Sequence, residues 1–479
     1  MRAGLTLAAA LAVAAAAFVI ANGFMGSFNT PPEPELAARS LPRPEPVDVP
    51  GRTTVVVVDG LRLDRVADLD LAPRPALSCE LEAVLPSYSR PAYVTLSIGV
   101  EPLLSGVRSN DHEGPAGLAS IWDVARRAGL RTELIADGTD WWIDLFPDAF
   151  DATHTEGALD EDGVPLPTAD VALVHLVHAD DVAHDHGVLD GRYAAALALA
   201  GGYLRRVLDG LGEGDTLWIT SDHGHIDRGG HGGPEPEVLA VPLLAYGAVA
   251  VARDVGPCRG RLSDLPATLA AHLGLPPPPA SMGAPVAALA VPPEVRAAIG
   301  AQVAELAHLA ERRPRPASPW LAALAVLLWA LLALALRRAL ALPWRPFAVA
   351  TLALPALGVG AWLALEPTLS LSAVWLEGPW VTRMTLIFVA VGAAASAVAH
   401  SQLRGADALT GQLLGAALPF AIALGAHGAL GAGPTPGDPH AAYAIILCGL
   451  FATVGAGVAA LACGVDLLWR RSRQAAPAS

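Results

Sequence analysis

The sequence contains no lysine, so all 31 of its basic residues are arginine. That is a feature of composition and points to no mechanism. Charged residues make up only 16% of the 479 positions and hydrophobic ones 53%, which excludes an ordinary soluble protein. Positive charge is in deficit as well. A net charge of −15 leaves no basic face for a phosphate backbone, so nucleic acid is excluded as a partner. Cysteine is scarce: Cys79 and Cys258 fall in the more polar half, Cys448 and Cys463 in an apolar one, and neither spacing suits a metal knuckle. A Cys79–Cys258 disulfide is compatible with the sequence if that half is extracytoplasmic. Charge is also missing from the middle of every long apolar run, which argues against an ion or proton pathway and hence against a transporter.

The apolar residues are unevenly placed. Residues 3–21 form an almost unbroken run of spanning length after Arg2, which predicts an uncleaved transmembrane signal-anchor over 1–28. Residues 29–50 are rich in Pro and Glu and predict a linker. From 51 to 290 short β-branched runs alternate with helix-like segments, the pattern of an α/β domain. The strand-like runs are 53–58, 132–136, 171–177, 216–219 and 241–245; helical character marks 117–128, 191–208 and 262–273, the last with Ser263-Asp264 as a cap. Residues 151–170 are acidic and predict a loop. A juxtamembrane helix or linker is expected over 291–317, a transmembrane region of about five helices over 318–470 and a cytoplasmic tail over 471–479. With the N-terminus inside, Arg337, Arg338, Arg345, Arg404, Arg470, Arg471 and Arg473 all face the cytoplasm, as the positive-inside rule requires, and the α/β domain is extracytoplasmic on a cell membrane. The arginines at 312–315 are the one discordant cluster.

Chemistry concentrates in 220–233, where fourteen residues hold three imidazoles, two carboxylates and five glycines. Asp and His are ligand types that borderline divalent metals prefer, and glycine lets backbone approach an ion closely. Other segments supply partners. Asp59 ends the first strand-like run. Ser89 opens a helix-like segment with Pro91 in its first turn, where a helix N-terminus would stabilise an alkoxide or a phosphate. Asp180 and His184 are four residues apart, on one face of a helical turn. His175, His178, His186, His225 and Asp227 are read as supporting residues. Trp141, Trp142 and Phe146 either line a cleft or fill the core.

The ordered set Asp59-Gly60, Ser89-x-Pro91, Asp180-x-x-x-His184, Asp222-His223-Gly224 and His231-Gly232 resembles the alkaline phosphatase superfamily, in particular its type I phosphodiesterase/nucleotide pyrophosphatase group. The segment from Ser89 to Val94, and the layout of anchor, catalytic domain and multispan region, are similar to GPI ethanolamine phosphate transferases. The resemblance implies an alkaline-phosphatase-like sheet sandwiched by helices. It also implies two divalent ions, Zn²⁺ or Mn²⁺: Asp180, His184 and His231 would hold one, and Asp59, Asp222, His223 and the Ser89 oxygen the other. Ser89 becomes the nucleophile, Asn110 and Arg90 phosphate contacts. A sulfatase is disfavoured, because Tyr93 stands where its signature needs Arg. The donor would be a phospholipid or other phosphodiester. A lipid or glycan acceptor makes the enzyme a phosphoethanolamine-type transferase; water makes it a phosphodiesterase-type hydrolase. A non-catalytic receptor on a retained enzyme fold is disfavoured by the complete ligand set.

Overall fold

A computed structural model describes residues 29–311 apart from 43, 45, 46, 48, 137–139, 156–163 and 254–255. It also describes 319–475 apart from 366–371, 373–378 and 427–438, and a few scattered positions before residue 29. The anchor expected over 1–28, those positions aside, and the arginine cluster at 312–315 lie outside the described residues. The chain divides into two compact units, Asn29–Arg313 and a second made of Met1–Phe28 with Pro314–Ser479.

The first unit is built on one eight-stranded sheet in the order β4-β3-β5-β1-β6-β7-β2-β8. Its strands are β1 (Thr53–Val58), β2 (Leu77–Glu82), β3 (Thr132–Ala136), β4 (Ala152–His154), β5 (Val171–Leu176), β6 (Thr216–Thr220), β7 (Ala240–Gly247) and β8 (Cys258–Arg261). β1 pairs in parallel with both β5 and β6, and β7 runs antiparallel to β6. Every residue of β1, β5 and β6 is buried. Val55 and Val57 enter one apolar cluster and Val56 and Val58 the other, so β-branched residues without polar alternation are what a strand covered on both faces requires. Cys79 and Cys258, register partners in β2 and β8, are disulfide-bonded.

The helices that matter here are α1 (Ser89–Ile98), α2 (Ile121–Arg127), α3 (Trp141–Leu145), α4 (His178–His186), α5 (Gly191–Asp209), α6 (Leu265–Leu273) and α7 (Pro293–Ala310). α2 starts later than its apolar pattern suggests, because Ser120 and Asp123 form a capping box. α6 also differs from expectation. A 3-10 turn, Leu262–Asp264, precedes it, and the Asp264 carboxylate accepts from the Arg261 and Ala284 amides instead of capping the helix. On α5 the buried positions Tyr193, Ala196, Leu197, Ala200, Tyr203, Leu204 and Val207 form one helical stripe. Gly201 lies within it, where an added Cβ would come 1.9 Å from the Leu69 carbonyl oxygen. Gly201→Ala should therefore destabilise the unit by roughly 1–3 kcal/mol despite the better helix propensity of alanine, which a thermal melt would register as a lower midpoint.

The segment expected as a linker begins inside this unit. Thr30 and Glu33 donate to the carbonyls of Gly106 and Leu104, and Leu36 is buried in the same apolar cluster as Leu306 and Leu309 of α7. An exposed Arg39–Glu305 ion pair joins the two segments at the surface.

The second unit contains α8 (Pro319–Ala339), α9 (Trp344–Leu365), α10 (Pro379–Gln402), α11 (Ala406–Ala426) and α12 (Pro439–Ala475). Among the described residues these five are long and apolar enough to cross a bilayer, the signature of a multi-pass membrane protein. Small residues bring them close: at Gly415 of α11 a Cβ would sit 2.2 Å from the Thr351 carbonyl oxygen of α9.

Candidate active site

Three adjacent parallel strands deliver the cluster. Asp59 follows β1, Asp222 and His223 follow β6, and α4, which carries Asp180 and His184, follows β5. Neighbouring parallel strands end at the same sheet edge, so residues far apart in sequence meet there. The fourth contribution is the start of α1. Its attachment is specific: the Gly232 amide donates to Ser87 Oγ at 2.9 Å, Ser87 Oγ donates to the Gly233 carbonyl at 2.9 Å, and His231 Nδ1 lies 2.8 Å from the Ser87 carbonyl. Gly232 needs to be glycine here, with φ of +112° and the Tyr88 ring 2.7 Å from where a Cβ would be.

Ser89 Oγ sits 3.2 Å from His223 Nε2. His223 Nε2 is in turn 3.2 Å from Asp222 Oδ2 and 3.6 Å from Asp59 Oδ1. On the other side, His184 Nε2 is 3.4 Å from Asp180 Oδ2 and 3.1 Å from His231 Nε2, which is 3.7 Å from Asp180 Oδ1. The candidate ligand atoms of Asp59, Asp222 and His223 lie within 4.8 Å of one another, as do those of Asp180, His184 and His231. Asp180, His223 and His225 form a third such group.

Ring protons sort these imidazoles. A carbonyl only accepts, so His231 against Ser87 and His223 against the Gly224 carbonyl, at 3.2 Å, carry their proton on Nδ1 and present a bare Nε2. His225 is reversed. The Gly230 amide donates to its Nδ1 at 3.1 Å, which puts the proton on Nε2, 2.8 Å from Asp180 Oδ1. The contact is close without being a hydrogen bond: His225 Nε2 and Asp180 Oδ1 are both buried and accept or donate none. Burial holds the His225 ring down to about 4, lowers His223, and with the neighbouring His223 takes His231 well below the ordinary range. His184 moves up: burial alone would lower it, but the Asp180 charge and hydrogen bond outweigh that.

The carboxylates lack counterparts. Asp59 and Asp222 are 1% and 0% exposed, yet Asp59 Oδ1 and Asp222 Oδ2 accept no hydrogen bond. Burial, then Asp59 and Asp180, push the Asp222 carboxyl well above its usual range. Buried carboxylate oxygens beside bare imidazole nitrogens form a donor set that fits divalent cations, and they would otherwise be costly to bury.

Asn110 and Arg90 lie beside the nucleophile segment. Asn110 Oδ1 accepts from the Arg90 amide at 3.0 Å, filling a donor at the α1 N-terminus. The Arg90 guanidinium donates to the His112 carbonyl and, at 3.3 Å, to Asp144, and lies 4.8 Å from the Trp141 ring centroid. Trp142 is fully buried and stacks on Tyr93 at 4.3 Å, so within the aromatic pair one ring meets Arg90 and the other fills the core. Tyr93 and His175 both contact Asp59, a connection that no sequence spacing announces.

Residues 162–277 match the family model described as the Metalloenzyme superfamily. Two GPI ethanolamine phosphate transferases 1 are similar. The Yarrowia lipolytica protein is 23% identical over 251 residues, 41% of this chain and 27% of its own length; the Gibberella zeae protein is 24% identical over 277 residues, 45% and 28%. The chain thus spans little more than a quarter of the relatives' length. Among solved structures, murine ectonucleotide pyrophosphatase/phosphodiesterase 5 overlaps 48% of this chain and 96% of its own at 14% identity and TM-score 0.39. The C-terminal periplasmic domain of EcEptC from Escherichia coli overlaps 52% and 87% at 14% identity and TM-score 0.35. The ordered motifs and the clustered donors on one sheet edge thus stand in a chain whose residues 162–277 are similar to the Metalloenzyme superfamily.

Proposed function

We propose that the protein is a membrane-bound, metal-dependent phosphoryl-transfer enzyme, a phosphoethanolamine-type transferase that moves a headgroup from a phospholipid to a lipid or glycan hydroxyl. One observation carries this reading. Ser89 Oγ, at a helix N-terminus, stands 3.2 Å from His223 Nε2 at the border of a cluster whose buried carboxylate oxygens lack donors. Asp180, His184 and His231 would hold one ion, and Asp59, Asp222, His223 and the Ser89 oxygen a second. Mixed imidazole and carboxylate ligation suits Zn²⁺ best, with Mn²⁺ the alternative. Bound divalent cations would lower the pKa of the Ser89 hydroxyl and offset phosphoryl charge.

Ser89 Oγ attacks phosphorus in line, its bond to phosphorus forms as that to the diacylglycerol oxygen breaks, and the α1 N-terminus faces the charge that spreads over the phosphoryl oxygens. The acceptor hydroxyl then displaces Ser89 from the phosphoserine. Asn110 contacts a phosphoryl oxygen, and Arg90, anchored by Asp144 and the His112 carbonyl, steadies that wall. The Cys79–Cys258 disulfide and the arginine-rich loops of the opposite side support an extracytoplasmic catalytic unit. The similarity to GPI ethanolamine phosphate transferases supports the choice of headgroup.

Membranes carrying the protein should convert phosphatidylethanolamine labelled in its headgroup into diacylglycerol and a labelled lipid or glycan. If the label is recovered only as free phosphoethanolamine, the acceptor is water, the enzyme is a phosphodiesterase, and the transferase reading fails.

A further inference from the structure

Asp59 is approached by two further side chains, Tyr93 and His175. Tyr93 lies one helical turn after Ser89 on α1, so both project from one face of that helix. Its ring is fixed by stacking on Trp142, 4.3 Å between centroids at 16°, and by the edge of His175 at 5.0 Å. Its hydroxyl donates to Asp59 Oδ2. His175, in β5 and the register partner of Val57, has Nε2 2.9 Å from the same oxygen and 2.8 Å from the Tyr93 hydroxyl. Tyr93 and His175 are 1% and 0% exposed. The single proton of the Tyr93 hydroxyl goes to Asp59 Oδ2, so towards His175 Nε2 its oxygen can only accept. Asp59 Oδ2 is therefore saturated from the protein side. Asp59 Oδ1 accepts no hydrogen bond and faces His223 Nε2 at 3.6 Å.

We propose that Tyr93 and His175 are positioning residues that fix Asp59 as a one-oxygen metal ligand and tie it to the helix bearing Ser89. The carboxylate can neither rotate to chelate with both oxygens nor withdraw from the site without breaking two buried hydrogen bonds. Because Tyr93 and Ser89 share a helix, the same bond sets the separation of nucleophile and ligand. A polar pair buried this deeply would be expensive if it served packing alone. Groups that orient a metal ligand from outside the coordination sphere typically contribute about 10–100-fold to metal affinity. This inference rests on Asp59 holding metal, as in the proposed function.

The test is Zn²⁺ binding to the full-length, detergent-solubilised protein, measured by competition with a chromophoric chelator, together with thermal melts of the metal-free form. Tyr93→Phe, which keeps the stacked ring, and His175→Leu should each weaken binding by about 10–100-fold. His175→Gln, which retains a donor, should recover most of the affinity, and the metal-free melting temperature of Tyr93→Phe should stay that of the wild type. Wild-type affinity in Tyr93→Phe overturns the inference, as does a loss that merely follows a fall in metal-free melting temperature. Asp59→Ala separates the two levels. If it binds metal like the wild type, the assignment of Asp59 as a ligand fails. If it loses metal while Tyr93→Phe does not, only the positioning role fails.

Discussion

Ser89→Ala is expected to lower phosphodiester turnover by a factor of about 10³–10⁶, the range seen when a covalent nucleophile is removed from an otherwise intact site. The substitution is structurally mild. Ser89 is the first residue of α1, Tyr88 stands at the N-cap, and the partner of the Ser89 hydroxyl is His223. Alanine suits a helix, so the fold and the ligands of Asp180, His184 and His231 should be retained. Ser87, two residues earlier and also buried, has a hydroxyl that is already committed: it donates to the Gly233 carbonyl and accepts from the Gly232 amide. Ser87→Ala should therefore act through the His231 loop, with lower stability and metal retention, while still allowing a phosphoserine to form at Ser89. An aryl phosphodiester assay, with acid-quenched trapping of the phosphoenzyme, decides the matter. Turnover unchanged in Ser89→Ala would remove Ser89 as the nucleophile and reopen the reading of the chain as a receptor on an enzyme fold.

How far the sequence led depends on whether a residue's role was local. Asp59 was legible because a β-branched run with no polar alternation must be a strand buried on both faces, which makes the residue after it an edge residue. Asp180 and His184 were legible because a spacing of four marks one helical face. β2 was not among the strand-like runs expected, although Leu77, Cys79 and Leu81 are buried and alternate with more exposed neighbours. β8, Cys-Arg-Gly-Arg, has no apolar period, and it is a strand through its pairing with β2. Tyr93 and His175 show a different limit. Parity along β5 places His175 on the face of Val171 and Leu173, but which helix covers that face follows from the crossover topology. Their shared hold on Asp59 is a contact between elements 34 and 116 residues away. His225 was legible as polar and central, whereas its tautomer required the Gly230 amide.

Metal removal should lower stability as well as activity. With the cations stripped, Asp59 Oδ1, Asp222 Oδ2 and the His184–His231 pair of ring nitrogens face one another across a few ångströms with no charge between them. The protein can relieve this by protonating Asp222, whose carboxyl is already raised by burial and by Asp59 and Asp180, or by opening the 220–233 loop. Either route weakens the native state relative to the loaded one. At free metal about a thousandfold above the dissociation constant, binding to the folded state alone contributes about 4 kcal/mol per site. For a unit of this size that corresponds to a fall in melting temperature of about 8–16 °C for each site emptied by chelation, at roughly 2–4 °C per kcal/mol. The effect should reverse when Zn²⁺ is returned and should fall to about that of one site in Asp222→Asn, where the neutral side chain no longer needs a cation and no longer holds one well. Calorimetry of chelated and reloaded protein, beside metal analysis of the same samples, tests this. If the purified protein contains metal but melts at the same temperature after that metal is removed, the ions sit elsewhere and the assignment of these carboxylates as ligands is wrong.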